Sequence, residues 1–123
     1  MSPSDAFSQA YAEARAKFRA VAAAAAASLS DLAHPLKGPG GEALACDVAR
    51  FGADDAEVVL WINSATHGVE GFCGSGVQIG MMAMGWHKRL PSNVALLLTH
   101  AINPHGFAWI RRPMTAMPKS TSG

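Results

Sequence analysis

Val58-Val59-Leu60-Trp61-Ile62-Asn63-Ser64-Ala65-Thr66-His67-Gly68-Val69-Glu70-Gly71 is the stretch that decides the fold. Its first five residues are apolar without a break, the pattern of a β-strand covered on both faces, as strands of parallel sheets are. The glycine-rich segment from Gly68 to Gly76 follows, and Val77 to His87 reads as mostly helical. Pro91-Ser92 marks a turn, and Val94-Ala95-Leu96-Leu97-Leu98 is a second strand of the same kind. Two such strands joined through a helix make a βαβ unit, and hence an α/β protein with a parallel or mixed sheet and flanking helices. In open α/β sheets ligands bind beyond the carboxyl ends of the strands. The segments after Asn63 and after Thr99 are therefore expected on one rim.

Upstream, Ser2-Pro3-Ser4-Asp5 has the form of a helix start, with a capping serine, a proline in the first turn and an acid three residues after the cap. Phe7, Tyr11, Ala14, Phe18 and Val21 recur at helical spacing, and the alanine run 22–27 continues that helix. His34-Pro35 and Gly38-Pro39-Gly40-Gly41 are breakers and predict a loop. Ala43 to Phe51 alternates loosely, as an edge strand does, and Gly52 to Asp55 is a turn.

The 123 residues suffice for one domain with a modest core, since half of them are hydrophobic. A formal charge of +1 with no basic stripe, and aromatics not interleaved with Lys or Arg, argue against nucleic acid as a partner. No run of 18 or more strongly apolar residues predicts a membrane span. Cys46 and Cys73 lie far apart and form no CxxC pair, so neither a disulfide framework nor a thiolate zinc site is predicted. The default expectation is a soluble cytoplasmic protein.

His67 and Glu70 form an H-x-x-E pair at a strand-to-helix turn. Imidazole nitrogen and carboxylate oxygen both suit zinc, and two histidines with one glutamate are an established catalytic ligand set. Gly68 and Gly71 are expected to turn the backbone tightly so that both side chains converge.

Thr66-His67-Gly68-Val69-Glu70-Gly71-Phe72-Cys73-Gly74-Ser75 resembles the first metal motif of carboxypeptidase A-like zinc peptidases, and most closely that of an uncharacterised, mainly bacterial branch. His100-Ala101-Ile102-Asn103-Pro104-His105-Gly106-Phe107-Ala108-Trp109 is similar to the second block of that branch, and Arg111-Arg112 to a paired arginine found there. The resemblance runs from about Glu42 to Arg112. It implies the start of a zinc carboxypeptidase-like (phosphorylase/hydrolase-like) domain over residues 1–112. His67 and Glu70 become the first two zinc ligands. Arg112, with Arg111 as the alternative, becomes the arginine that polarises the scissile carbonyl. The implied substrate is a peptide or a related small amide.

The resemblance also implies parts that do not occur in this chain: an Asn-Arg pair that holds a substrate carboxylate, a third ligand histidine and a catalytic glutamate. Residues 113–123 form a breaker-rich tail unlike the family. Read one base earlier, the Met114–Thr115 junction gives an aspartate codon and the Met117–Pro118 junction an alanine codon, which tracks the family's next block. The expectation is a frameshifted, truncated metallopeptidase with zinc weak or absent, an incomplete sheet, and self-association through the uncovered sheet.

Two other functions stay open: a non-catalytic fragment that only packs with a partner, and an aspartoacylase-like amidohydrolase of N-acyl amino acids. Among the remaining residues, His100 is expected to be structural or to support the site, with a ligand role as the sharper alternative. His105 is expected to be solvated, His34 and His87 to lie on the surface, and Cys73 to be buried as a small packing residue.

Overall fold

The computed structural model describes residues 1–110 as a mixed α/β arrangement: a four-stranded sheet with helices packed on one face. Arg111, Arg112 and the tail lie outside the described residues. In chain order the elements are α1 (Tyr11–Ala24), β1 (Ser28–Lys37), β2 (Ala43–Phe51), β3 (Val58–Asn63), α2 (Gly71–Ala83), β4 (Val94–His100) and α3 (Pro104–Ala108). The sheet order is β1-β2-β4-β3, with β3 and β4 parallel and the other pairs antiparallel.

The start of the chain divides where a single helix is expected from the spacing. Ser2 and Asp5 do form a capping box, but it closes only a short 3-10 turn, Pro3–Ala6. Phe7 leaves the stripe and seats itself on α2 at Gly76. The stripe proper is Tyr11, Ala14, Phe18 and Ala22, all buried on α1. That helix stops inside the alanine run: Ala26 adopts φ +61, and the amides of Ala26 and Ala27 return to the carbonyls of Ala23 and Ala22. This is a Schellman ending with alanine where glycine is usual.

β1 runs through the segment that the breakers mark as loop. It tolerates Pro35 because it is an edge strand, where a missing N–H leaves no ladder bond unmade, and its register slips between Ala33 and Lys37. β2 is correspondingly an interior strand, not the edge expected from its loose alternation. Its register places Asp47 opposite Asp31, a like-charge pair reconciled by α1. Arg15 donates to Asp47 (Nε to Oδ2, 2.8 Å) and reaches Asp31 (3.2 Å), while Arg19 donates to Asp47 Oδ1 (2.6 Å). Tyr11 fixes the other end of the same packing, because its hydroxyl donates to Ala45 O and accepts from Ala45 N, both at 2.9 Å.

The core lies between the helices and one sheet face, where Phe18, Ala22, Ile79 and Met82 meet Ala49, Phe51, Leu96 and Leu98. The opposite face carries Leu32, Val48, Trp61 and Leu97 around an open groove of about 460 Å³. β3 pairs with β4 from Val58↔Val94 to Asn63↔Thr99, as expected of adjacent parallel strands. It is, however, the outer strand. Val58, Val59, Leu60 and Trp61 are each about half exposed, which corrects the reading of a strand covered on both faces.

Candidate metal site at the end of the parallel strands

The site is built where β3 and β4 leave the sheet side by side. Ser64 N donates to Thr99 O (3.0 Å), Ile102 N to Ser64 O (2.9 Å) and Asn103 N to Ala65 O (2.9 Å). Ala65 and Ala101 both adopt left-handed backbone, φ 57 and φ 67, so each strand exit turns sharply at a residue with only a small Cβ to accommodate. Gln78 of α2 ties the two exits together from the core side, donating to Ile62 O (2.9 Å) and Thr99 O (3.1 Å). The shared rim predicted from the βαβ pattern is thus present.

The loop then carries His67 and delivers the chain to α2, whose N-cap residue is Glu70. Helix α2 starts at Gly71, six residues before the start expected from the sequence, and ends at Ala83. The glycines that suggest a loop are interior to this helix. Only there does their lack of a side chain explain them: a Cβ on Gly74 would stand 2.9 Å from Ser64 Cβ, and one on Gly71 would stand 3.0 Å from both Ala65 Cβ and Phe107 Cγ. Neither Gly68 nor Gly71 has positive φ, so they do not act by turning the backbone. Gly71, with Gly74, instead allows α2 to approach the strand exits.

His67 Nδ1 and Glu70 Oε2 lie 3.7 Å apart, with both side chains about half exposed. Two ligands about 2.0–2.1 Å from a tetrahedral zinc ion stand roughly 3.3 Å from each other, so a small side-chain adjustment brings this pair onto one ion. The donor types and the spacing fit zinc as two of its ligands. Among the described residues no group of three or more His, Cys, Asp or Glu side chains is placed to hold a metal. The paired arginines, Arg111 and Arg112, fall outside the described residues.

The other candidate histidines are placed elsewhere. His100 is fully buried, stacked on Phe18 with ring centroids 4.6 Å apart, and its Nε2 lies 2.8 Å from Ser75 Oγ. His105 is buried in α3 and stacked on His34 at 5.7 Å, contrary to the expectation of a solvated loop residue. His87 is half-buried against Phe51, and burial lowers its pKa, with Lys88 adding to the shift. Cys73 is exposed on α2, which corrects its reading as a buried packing residue. Cys46 is half-buried, and burial pushes its thiol up to about 11, leaving it protonated at neutral pH.

Sequence reasoning missed Ser64, Gln78 and Asn103 as builders of the rim. A glutamine in a helix of mostly small and apolar residues was the available signal for Gln78. Asn-Pro followed by Gly was the available signal for Asn103, as a helix cap.

The family described as "Protein of unknown function (DUF2817)" matches residues 7–115. No curated protein matches the chain. Among solved structures, the glutaminyl cyclase of Fimbriiglobus ruber is similar with a TM-score of 0.52 at 11% identity, over 72% of this chain and 36% of that one. The glutaminyl cyclase of Porphyromonas gingivalis gives 0.49 at 12% identity, over 85% of this chain and 52% of that one. The chain thus spans roughly a third to a half of these cyclases. At such identity the first likeness concerns the fold alone. No helix among the described residues is long and apolar enough to cross a membrane.

Proposed function

Because the chain belongs to the DUF2817 family, we propose that it is the metal-pair portion of a zinc carboxypeptidase-like hydrolase acting on peptide or related amide bonds. The observation that carries this reading is the approach of His67 Nδ1 to Glu70 Oε2 at 3.7 Å, at the carboxyl end of two adjacent parallel strands. Ligands of α/β sheets are bound at that end.

In this reading His67 and Glu70 would hold the ion, which would supply Lewis-acid polarisation of a carbonyl and acidification of water. Glu70 lies at the N-cap of α2, which sets its carboxylate beside His67 at the strand ends. The exposure of both side chains leaves the outer side of the pair open to a substrate. The family resemblance gives Arg112, or Arg111, the task of stabilising the oxyanion by a guanidinium placed beside it. The resemblance also supports residues 1–112 as one domain unit, with residues 113–123 as a tail that departs from it.

Zinc titration followed by dialysis separates this reading from that of a packing module. Metal bound by the native chain and lost in His67→Ala supports the site, whereas identical zinc uptake by both proteins sinks it. A panel of peptides and N-acyl amino acids, tested on a longer protein that continues beyond Arg112, separates a peptidase from an aspartoacylase-like amidohydrolase.

A further inference from the structure

The loop that carries His67 is gripped by a residue from the neighbouring strand exit. Asn103 is 2% exposed and lies in the connection from β4 to α3. Its backbone N–H donates to Ala65 O at 2.9 Å, and its side-chain Nδ2 donates to Thr66 O at 3.4 Å. Two successive carbonyls are therefore held immediately before His67. The other end of the same side chain accepts from Gly106 N at 2.9 Å and caps α3. From Ala108, the last residue of α3, the chain has three residues to reach Arg111.

One short side chain meets both demands because an amide carries a donor and an acceptor on the same carbon. Serine keeps a capping oxygen but has no second arm to reach Thr66. Aspartate keeps the acceptor and sets a carboxylate against a carbonyl. Gly106 makes the room, since a Cβ there would lie 2.8 Å from Asn103 Cγ.

We propose that Asn103 is a positioning residue for the metal pair, fixing the His67 loop and the start of α3 in one mutual arrangement. The metal part of this statement rests on the zinc reading above; the loop part does not. A partner of this kind, acting through a ligand's surroundings, typically changes metal affinity by about 10- to 100-fold.

The test uses Asn103→Ser, which retains a good capping residue and removes the arm to Thr66. Amide hydrogen exchange is read at Gly71, whose N–H donates to Gly68 O within the loop, and at residue 103; Leu98 in the middle of β4 is the reference. The expected result is severalfold faster exchange at 71 and 103, unchanged exchange at 98, and zinc affinity about 10- to 100-fold weaker. Faster loop exchange in a protein that binds no zinc in either form upholds the positioning role and overturns the metal reading. Exchange that is unchanged, or raised equally at all three amides, overturns the proposal. If Asn103→Ser does not fold, Gly106→Ala displaces the same side chain while leaving Asn103 in place. The same selective exchange is then expected, and its absence overturns the proposal.

Discussion

Ser75 Oγ and His100 Nε2 meet at 2.8 Å inside the core, joining α2 to the last residue of β4. The imidazole is closed off by Phe18 on its face, and Nδ1 has no hydrogen-bond partner among the described residues. Burial lowers the His100 pKa to about 4, against the opposing pull of Asp47, its cross-strand neighbour.

That burial sets a pH dependence of stability. The folded pKa is below the unfolded value of about 6.5, so the unfolded chain binds the proton more readily. The contribution of a neutral His100 is complete above about pH 6.5 and is lost as pH falls toward 4, with a total on the order of 3 kcal/mol. Denaturant melts at pH 7.5, 6 and 5 are expected to show declining stability, with a shallower decline in His100→Gln. Equal slopes in the two proteins would show that some other group governs this window.

The glycines of α2 divide by what surrounds them. At Gly74 an added methyl meets Ser64 Cβ at 2.9 Å, so Gly74→Ala is expected to destabilise by about 1–3 kcal/mol through overpacking. At Gly80 the nearest atom is Ala6 Cβ at 3.9 Å, and Gly80→Ala is expected to stabilise by up to about 1 kcal/mol through helix propensity. Ala26→Gly is expected to stabilise as well, because it relieves the left-handed conformation at the end of α1. Thermal melts of the three variants check the signs. If Gly74→Ala is neutral, α2 is not held against the strand exit by lack of volume.

These positions also show what was legible in the sequence. The βαβ unit, the parallel pairing and the shared rim were readable because uninterrupted apolar runs and a helix-length connection admit few topologies. The helical glycines 71–76 were not, because local propensity points to loop while close contact with Ser64, Ala65 and Phe107 selects glycine. β1 was hidden by Pro35, which is damaging in an interior strand but harmless on an edge. The outer position of β3 was equally hidden, since an apolar run does not say how many neighbours it has. In the site, the His67–Glu70 pair was marked by its spacing. Asn103 and Gln78 act through backbone carbonyls, and carbonyls leave no mark in a sequence.

The outer edge of β3 leads to an expectation about association. Val58 to Asn63 contains no charge and no proline, and Val58 to Trp61 are about half exposed beside a row of backbone groups that is unpaired among the described residues. Edges of this type pair with other strands unless blocked. The other edge, β1, is broken in register near Pro35 and carries Asp31 and Lys37. Self-association is therefore expected through β3, rising with concentration, and reduced by Leu60→Lys. Sedimentation velocity over a range of concentrations measures it. A monomer throughout, or an oligomer indifferent to Leu60→Lys, would remove β3 as the contact.

Zinc binding supplies the last prediction. Catalytic zinc normally has three protein ligands, and the described residues bring two donors together. The 123-residue chain is expected to keep much less than one zinc per molecule after dialysis, and His67→Ala to remove what remains. Hydrolysis needs more than the ion: general base catalysis contributes about 10²- to 10⁴-fold. In a longer protein that continues past Arg112 with a third ligand and a general base, chelator-sensitive hydrolysis is expected. There His67→Ala should abolish both metal and turnover, while Arg112→Ala should lower turnover and leave zinc bound, because a guanidinium acts on the oxyanion and not on the ion. Zinc-dependent hydrolysis by the 123-residue chain itself would require a third ligand within it; buried His100 is the first to test, and it would have to leave Phe18 and Ser75 to reach the metal.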